Sequence, residues 1–294
     1  MIEINKLTKK FGQFIALDSI SVKITEGESV CLLGENGAGK STLIKCILGM
    51  LDYSGEIYVD NEEIKVDTKK HKFNIGYIPQ EPVFYDMSIK DIISFFGILR
   101  NASKEKIKES IEITGLQEHE NKLTSELSGG LKQRLSFAIA LISDPSILIL
   151  DEPTSNLDAS ARLDLINLVK RLKETGKTVL FSSHRLDEVD FLADRVYVLK
   201  RGKVVYEGLK ENLINKLGLK TRIILSVDKS TSDSALNALK SNGFEILSQN
   251  GYGLSVQINN NEKLQALRKI LDSDIRFNDL SIETPSMEEI ISSL

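Results

Sequence analysis

The chain has 294 residues, 41% of them hydrophobic and 27% charged, with a formal net charge of −4; it is long enough for one large domain and a smaller one, and apolar enough to bury a core in each. The acidic balance argues against a nucleic-acid-binding surface, which is normally basic, and no apolar stretch reaches the ~18 residues that a membrane-spanning helix needs. The opening residues Met1-Ile2-Glu3-Ile4-Asn5-Lys6 lack the apolar segment of a signal peptide, so a cytosolic chain is expected.

Ile2-Glu3-Ile4-Asn5-Lys6-Leu7 and Ile20-Ser21-Val22-Lys23-Ile24 alternate apolar and polar residues, which predicts a small antiparallel sheet ahead of the core, with a turn at Glu26-Gly27. The apolar run Val30-Cys31-Leu32-Leu33 then breaks into Gly34-Glu35-Asn36-Gly37-Ala38-Gly39-Lys40-Ser41: a buried strand, a glycine-rich turn and the start of a helix. Backbone N–H groups in such a turn, together with the positive end of the helix dipole, converge on a pocket suited to nucleotide phosphates. Gly37 and Gly39 let the main chain approach closely, Lys40 can reach the β- and γ-phosphates, and the Ser41 hydroxyl can ligate Mg²⁺. The candidate nucleotide contacts here are Gly34, Asn36, Gly37, Ala38, Gly39, Lys40, Ser41 and Thr42. The helix is predicted over 41–50, ending near Gly49, and a strand follows over 55–60. Cys31 and Cys46 flank the turn and read as packed thiols rather than as a disulfide or metal site. The short strand Ile75-Gly76-Tyr77-Ile78 stops at Pro79, which has no N–H for a ladder, and leaves Gln80 at a strand end.

Over 88–123 the periodicity becomes helical. Ile89, Ile92, Ile93, Phe96 and Leu99 mark one face and Ile107, Ile111 and Leu116 another, which predicts a helical subdomain over about 84–135. Two βα units follow: the strand Ile147-Leu148-Ile149-Leu150, a helix over 161–173, and the strand Thr178-Val179-Leu180-Phe181. Continuous apolar strands alternating with helices imply a parallel sheet covered on both faces. Beyond Lys210 the expected order is strand 223–227, helix 232–241, strands 245–248 and 253–258, helix 262–271 and strand 275–282, a βαββαβ pattern of ferredoxin-like type. The fold class is therefore α/β: a P-loop NTPase core with a parallel sheet, an N-terminal antiparallel β subdomain and a helical subdomain over 1–210, plus a small α+β appendage over 211–294. No internal repeat of the core occurs, so the chain carries one phosphate turn.

The strand 147–150 ends in Asp151-Glu152-Pro153, which puts two carboxylates at the carboxyl edge of a parallel sheet, where such folds bind ligands. Asp151 can hold Mg²⁺ with Ser41, and Glu152 can accept a proton from an attacking water. In Leu127-Ser128-Gly129-Gly130-Leu131-Lys132-Gln133-Arg134, a serine and two glycines open a helix and make a second anion-binding N-terminus. One nucleotide cannot easily use both.

These motifs, in this order, resemble the ATP-binding subunits of ABC transporters over about 1–210, with Ser128-Gly129-Gly130 similar to that family's signature. The resemblance implies that the signature of one subunit closes over ATP held by the phosphate turn of another, so Ser128 and Gly130 would touch the γ-phosphate on a partner's Lys40. It further implies that Gln80 reaches the metal and attacking water, that Ser155-Asn156-Leu157-Asp158 crosses the dimer interface, and that His184 contacts the γ-phosphate. Phe11 resembles the aromatic that stacks on adenine, although a core aromatic is the other reading. His71 and His119 read as ordinary histidines. Leu131 departs from the family's usual Gln and bears only on a supporting contact.

The implied cofactors are ATP and Mg²⁺. The implied partners are a separately encoded integral membrane subunit and a second copy or a paralogue of the ATPase, placing the chain on the cytoplasmic face of the cell membrane. Phe84, Tyr85, Phe95 and Phe96 are candidates for contact with the membrane subunit, or else for packing within the helical subdomain. Glu283-Thr284-Pro285-Ser286-Met287-Glu288-Glu289-Ile290 resembles the closing motif of drug, antibiotic, sodium-export and copper-maturation ATPases, which favours export; as a plain Ser-x-x-Glu helix start it would dock the tail. The alternative function is a soluble ABC-type ATPase with no transport role. Such relatives usually carry two nucleotide cores or a long coiled-coil insertion, and the sequence has neither.

Overall fold

The computed structural model describes residues 1–66, 74–216, 220–228, 230–250, 253–259, 262–273, 275–283, 285, 289–290 and 293. His71 and half of the closing motif, namely Thr284 and 286–288, lie outside the described residues. The chain forms two compact units, Met1–Lys210 and Glu211–Leu294.

In the first unit, β1 (Ile2–Phe11) and β2 (Phe14–Ile24) form an antiparallel hairpin closed by the pair Phe11 and Phe14. β3 (Ser29–Leu33) leads through the glycine turn into α1 (Lys40–Ile47), and β4 (Ser54–Val59) and β5 (Glu62–Glu63) complete a four-stranded antiparallel sheet in the order β2-β1-β4-β5. The first helix is shorter than the predicted 41–50, since Leu48 caps it and Gly49 follows at φ 63°. The alternation read in the sequence has a plain cause: Ile2, Ile4, Leu7, Leu17, Ile20, Val22 and Ile24 all point into one core, which the sheet shares with α1 and β3.

The remaining elements of this unit are β6 (Ile75–Ile78), α2 (Ile89–Leu99), α3 (Lys104–Thr114), α4 (Gly129–Leu141), β7 (Ile147–Asp151), α5 (Ala159–Glu174), β8 (Thr178–Ser183), α6 (Leu186–Leu192), β9 (Arg195–Lys200) and β10 (Lys203–Leu209). A six-stranded sheet runs β10-β9-β3-β8-β7-β6, parallel from β9 to β6, with β10 antiparallel at one edge. Every residue of β3, β7 and β8 is buried, the result of helices on both faces of a parallel sheet. Because those three strands are parallel neighbours, their carboxyl ends share one edge, and the phosphate turn, Asp151-Glu152 and His184 all leave the sheet there.

The helical segment is two main helices rather than one continuous run, because Asn101 adopts φ 51° and Ser103 starts α3 as an N-cap that accepts a hydrogen bond from Lys106 N. Phe84 and Phe96 pack against the Ile89, Ile93, Leu116 and Leu135 core of this subdomain, whereas Tyr85 and Phe95 are exposed at 83% and 50%. The four aromatics therefore divide between the two readings.

The second unit opens with all but the first residue of α7 (Lys210–Lys216) and contains β11 (Lys220–Ser226), α8 (Ser232–Ser241), β12 (Glu245–Asn250), β13 (Gly253–Asn259), α9 (Lys263–Leu271) and β14 (Asp279–Glu283). The sheet order β12-β13-β11-β14, antiparallel throughout, is the ferredoxin-like arrangement. Its last strand begins at Asp279, not at Ile275, because the neighbouring strand β11 ends at Ser226 opposite Asp279 and offers no ladder partner earlier. Ile275 and Phe277 are apolar because they pack on the core of this unit with Leu225, Val256 and Ile270, not because they pair in the sheet.

Cys31 and Cys46 are free and buried. Burial pushes the Cys31 thiol well above its ordinary range and the Cys46 thiol up to about 11. Both are expected to resist an aromatic disulfide reagent at pH 8 in the native protein and to react only once the chain is unfolded, since the reactive species is the thiolate.

Candidate nucleotide site

The glycine turn is shaped by backbone constraints. Gly39 caps α1 at φ 109°, and a Cβ there would fall 2.9 Å from the Ala16 carbonyl oxygen and 2.8 Å from Leu17 Cδ2. Only glycine fits both the angle and the space. The turn curls around the Lys40 side chain, whose ammonium donates to the carbonyls of Gly34 at 2.8 Å and Glu35 at 3.1 Å and pairs with Glu152 Oε1 at 2.9 Å. Lys40 and Glu152 are both almost fully buried. The carboxylate thus balances the buried cation directly.

At the exit of β7, Glu152 adopts φ 43°, a left-handed conformation costly for a residue with a side chain, of order 1–3 kcal/mol. Its N–H donates to Ser182 Oγ at 2.9 Å, and the same hydroxyl donates to Asp151 Oδ1 at 2.7 Å. One serine at the end of the neighbouring strand thus holds both acidic residues. Asp151 Oδ1 also accepts from Ser41 Oγ at 2.9 Å. Glu152 Oε2 lies 3.0 Å from His184 Nδ1. Lys40, Ser41, Asp151, Glu152 and His184 therefore form one bonded cluster.

A cleft of about 430 Å³ opens over this cluster, lined by Phe11, Phe14, Ala16, Asn36, Gly37, Gly39, Lys40, Ser41, Thr42, Gln80 and Glu152. Asn36, Gly37, Thr42, Gln80 and Phe11, singled out from the sequence, all face it. Ala38 does not line the cleft: its side chain is buried in the core of the unit, and its carbonyl accepts from Gly202 N at 3.0 Å. Ser128, Gly129, Gly130 and Asp158 do not line the cleft. Ser128 caps α4, accepting from Leu131 N at 3.3 Å, and Asp158 caps α5, accepting from Ala161 N at 2.9 Å. These two helix starts are neighbours: a Cβ on Gly130 would sit 3.1 Å from Ala161 Cβ, and one on Gly129 would sit 3.6 Å from the Asn156 carbonyl oxygen.

The profile of the family described as "ABC transporter" matches residues 17–155, and one for an AAA domain described as a putative AbiEii toxin matches 121–190. The linearmycin resistance ATP-binding protein LnrL of Bacillus subtilis is 36% identical over 247 residues, 82% of this chain and 79% of its own length. The chain belongs to the ATP-binding proteins of ABC transporters. YhaQ of Bacillus subtilis, an uncharacterized ABC transporter ATP-binding protein, is 32% identical across 99% of this chain and 97% of its own. Among solved structures, cbiO1 of Clostridium perfringens, part of the ABC transporter complex cbiONQ, superposes with a TM-score of 0.67 at 30% identity, covering 73% of this chain and 90% of that one. The ATP-binding cassette MJ0796, a dimer in a post-hydrolysis state bound to ADP and Pi, gives 0.65 at 28% identity over 71% and 99% of the two chains. As an ABC transporter ATP-binding protein, this chain is an ATPase.

Three residues that the sequence reasoning did not single out complete the site of this ABC ATPase. Ser182 is one. The others are Thr154 and Glu188: the Glu188 carboxylate, 2% exposed, accepts from Thr154 Oγ1 on one oxygen and from Ser183 Oγ at 2.7 Å on the other. It ties the residues just after Glu152 to those just before His184. A glutamate in the polar first turn of a short helix carries no distinguishing pattern; only its place four residues after the strand-end Ser182-Ser183-His184 could have hinted at it. Glu188→Ala strands two buried hydroxyls and is expected to lower stability by about 2 kcal/mol. A lowered denaturant midpoint, with a smaller loss for Glu188→Gln, which retains an acceptor oxygen, checks it.

Proposed function

We propose that this chain is the motor subunit of an exporter, working as a pair of ATPase chains that close on ATP beneath a separate membrane subunit on the cytoplasmic face. The observation that carries the reading is the separation of the two anion-binding features. Lys40, Ser41 and Glu152 line one cleft, with Asp151 bonded to Ser41 behind it, while the start of α4, with Ser128 and Gly129 exposed, lies outside it. A second chain, identical or paralogous, brings its α4 start to this cleft. In that arrangement Ser128, Gly129 and Gly130 bind the γ-phosphate in trans, and Asp158 sits where the chains cross.

Phe11 stacks on the base, and the turn 34–42 holds the phosphates, which displace Glu152 from Lys40. The freed Glu152 takes a proton as water attacks the γ-phosphorus and the bond to the bridging oxygen breaks. His184 contacts the transferred phosphate and orients Glu152. The donor set of Ser41 hydroxyl and Asp151 carboxylate at 2.9 Å suits Mg²⁺, which favours one or two protein oxygens plus substrate phosphates. These two residues, with Gln80, would hold the ion, and it would supply neutralisation of the charge that develops on the β- and γ-oxygens.

The membrane subunit docks beside Gln80 on the helical subdomain, where Val83, Tyr85, Phe95 and Ile98 stand exposed at 91%, 83%, 50% and 77% and offer apolar area to an interface. Among the described residues no helix is long and apolar enough to cross a membrane. The names of relatives such as a linearmycin resistance protein and a probable multidrug transporter of Escherichia coli support export as the direction.

Glu152→Gln keeps the shape of the side chain and removes the base. It is expected to bind ATP at least as well as the wild type, because Lys40 loses its competing anion, while hydrolysis falls by about 10²- to 10⁴-fold. Size-exclusion chromatography with light scattering should show this variant as a monomer alone and a dimer with ATP; a monomer under both conditions counts against closure of two copies of this chain. Lys40→Ala removes charge-assisted phosphate contacts and should weaken ATP binding by about 10- to 100-fold, measured by calorimetry.

A further inference from the structure

Lys9 is a buried cation that the hydrolytic cluster does not use. Its residue is 4% exposed, on β1 beside the closing hairpin. The ammonium pairs with Asp52 Oδ1 at 2.6 Å and lies 4.8 Å from the centroid of the Phe11 ring. Phe11 itself is 48% exposed and lines the nucleotide cleft. One face of the ring is therefore backed by a buried positive charge while the ring edges the cleft. A cation against one face of an aromatic ring draws on its negative quadrupole, which leaves the opposite face poorer in electrons and better matched to an electron-rich purine. The Asp52 carboxylate holds the ammonium in place, and the ammonium holds the ring.

From this geometry we infer that Lys9 is a positioning and specificity residue for the base, acting through Phe11 and not through the phosphates. The inference rests on the reading that Phe11 stacks on the base of ATP. Asp52, at the solvent end, keeps the charge of Lys9 balanced, so a purine can approach the ring without meeting an unpaired cation.

The test measures, by calorimetry with Mg²⁺ present, the affinities of ATP and of inorganic tripolyphosphate, which shares the phosphates but has no base. Wild type is compared with Lys9→Met, which keeps the length and apolar packing of the side chain, with Lys9→Arg, and with Phe11→Ala. The expected result is a loss of ATP affinity of about three- to fivefold in Lys9→Met, unchanged tripolyphosphate binding, substantial recovery in Lys9→Arg, and a larger ATP-specific loss in Phe11→Ala. Unchanged tripolyphosphate binding also reports that the phosphate turn is folded. Steady-state kinetics should show the same split, a raised KM with kcat retained. If Phe11→Ala weakens ATP while Lys9→Met does not, the inference is overturned and base stacking stands. If Phe11→Ala leaves ATP affinity unchanged, the stacking reading falls and takes the inference with it. Equal losses for ATP and tripolyphosphate in Lys9→Met would make Lys9 a support of the phosphate turn and overturn its role at the base.

Discussion

The direct pairing of Lys40 with Glu152 at 2.9 Å, with both side chains almost fully buried, is the constraint around which this site is organised. Neither charge is tolerable alone at that depth, because desolvating an ion costs several kcal/mol unless a partner and hydrogen bonds offset it. The surroundings meet that demand piece by piece. Two carbonyls of the glycine turn converge on the ammonium, and Ser182 and His184 hold the main chain and the far oxygen of Glu152. The left-handed backbone of Glu152 is the local cost of turning its carboxylate toward Lys40 instead of along the strand. The pair neutralises itself, and on the proposed reading a bound phosphate takes over the role of the carboxylate.

That exchange links binding to catalysis in the proposed mechanism. A polyanion that enters the cleft claims Lys40 and leaves Glu152 with one oxygen unpartnered, which is the condition a general base requires. The geometry around it is set by rigid elements. Asp151, Glu152 and His184 sit at or beyond the ends of two buried parallel strands, and Glu188 ties the segments that leave those strands. The start of α4 belongs to the helical subdomain, which has its own core of Ile89, Ile93, Leu116 and Leu135. On the proposed reading, the helical subdomain shifts relative to the sheet core as the nucleotide state changes, and this shift carries the state of the nucleotide to the exposed Tyr85 and Phe95.

The second unit illustrates how a correct pattern can mislead at an element's edge. Its βαββαβ order was readable from periodicity, and the sheet adopts it. The apolar residues Ile275 and Phe277 suggested an earlier start to the last strand, yet they serve the core under the sheet while the ladder begins only where β11 has residues left to pair. Hydrophobicity reports burial, and burial does not by itself distinguish a strand from the loop that approaches it.

The same distinction runs through the site. The phosphate turn, the acidic strand exit and the Ser-Gly-Gly helix start are local motifs, in which a few consecutive residues dictate both backbone shape and chemistry, so the sequence by itself determined the family, the P-loop core and the candidate residues Lys40, Ser41, Asp151, Glu152 and Ser128. It could not determine which of these meet. That Ser182 binds both acidic residues, that Glu188 joins Thr154 to Ser183, that Ala38 turns into the core, that Phe84 and Phe96 pack inward while Tyr85 and Phe95 face out, and that Lys9 backs the ring of Phe11 were decided only by the tertiary structure. Each of these depends on which strands are neighbours and which face of a helix is covered. Those are long-range facts, settled by how the whole chain buries its apolar surface, and no short stretch of residues encodes them.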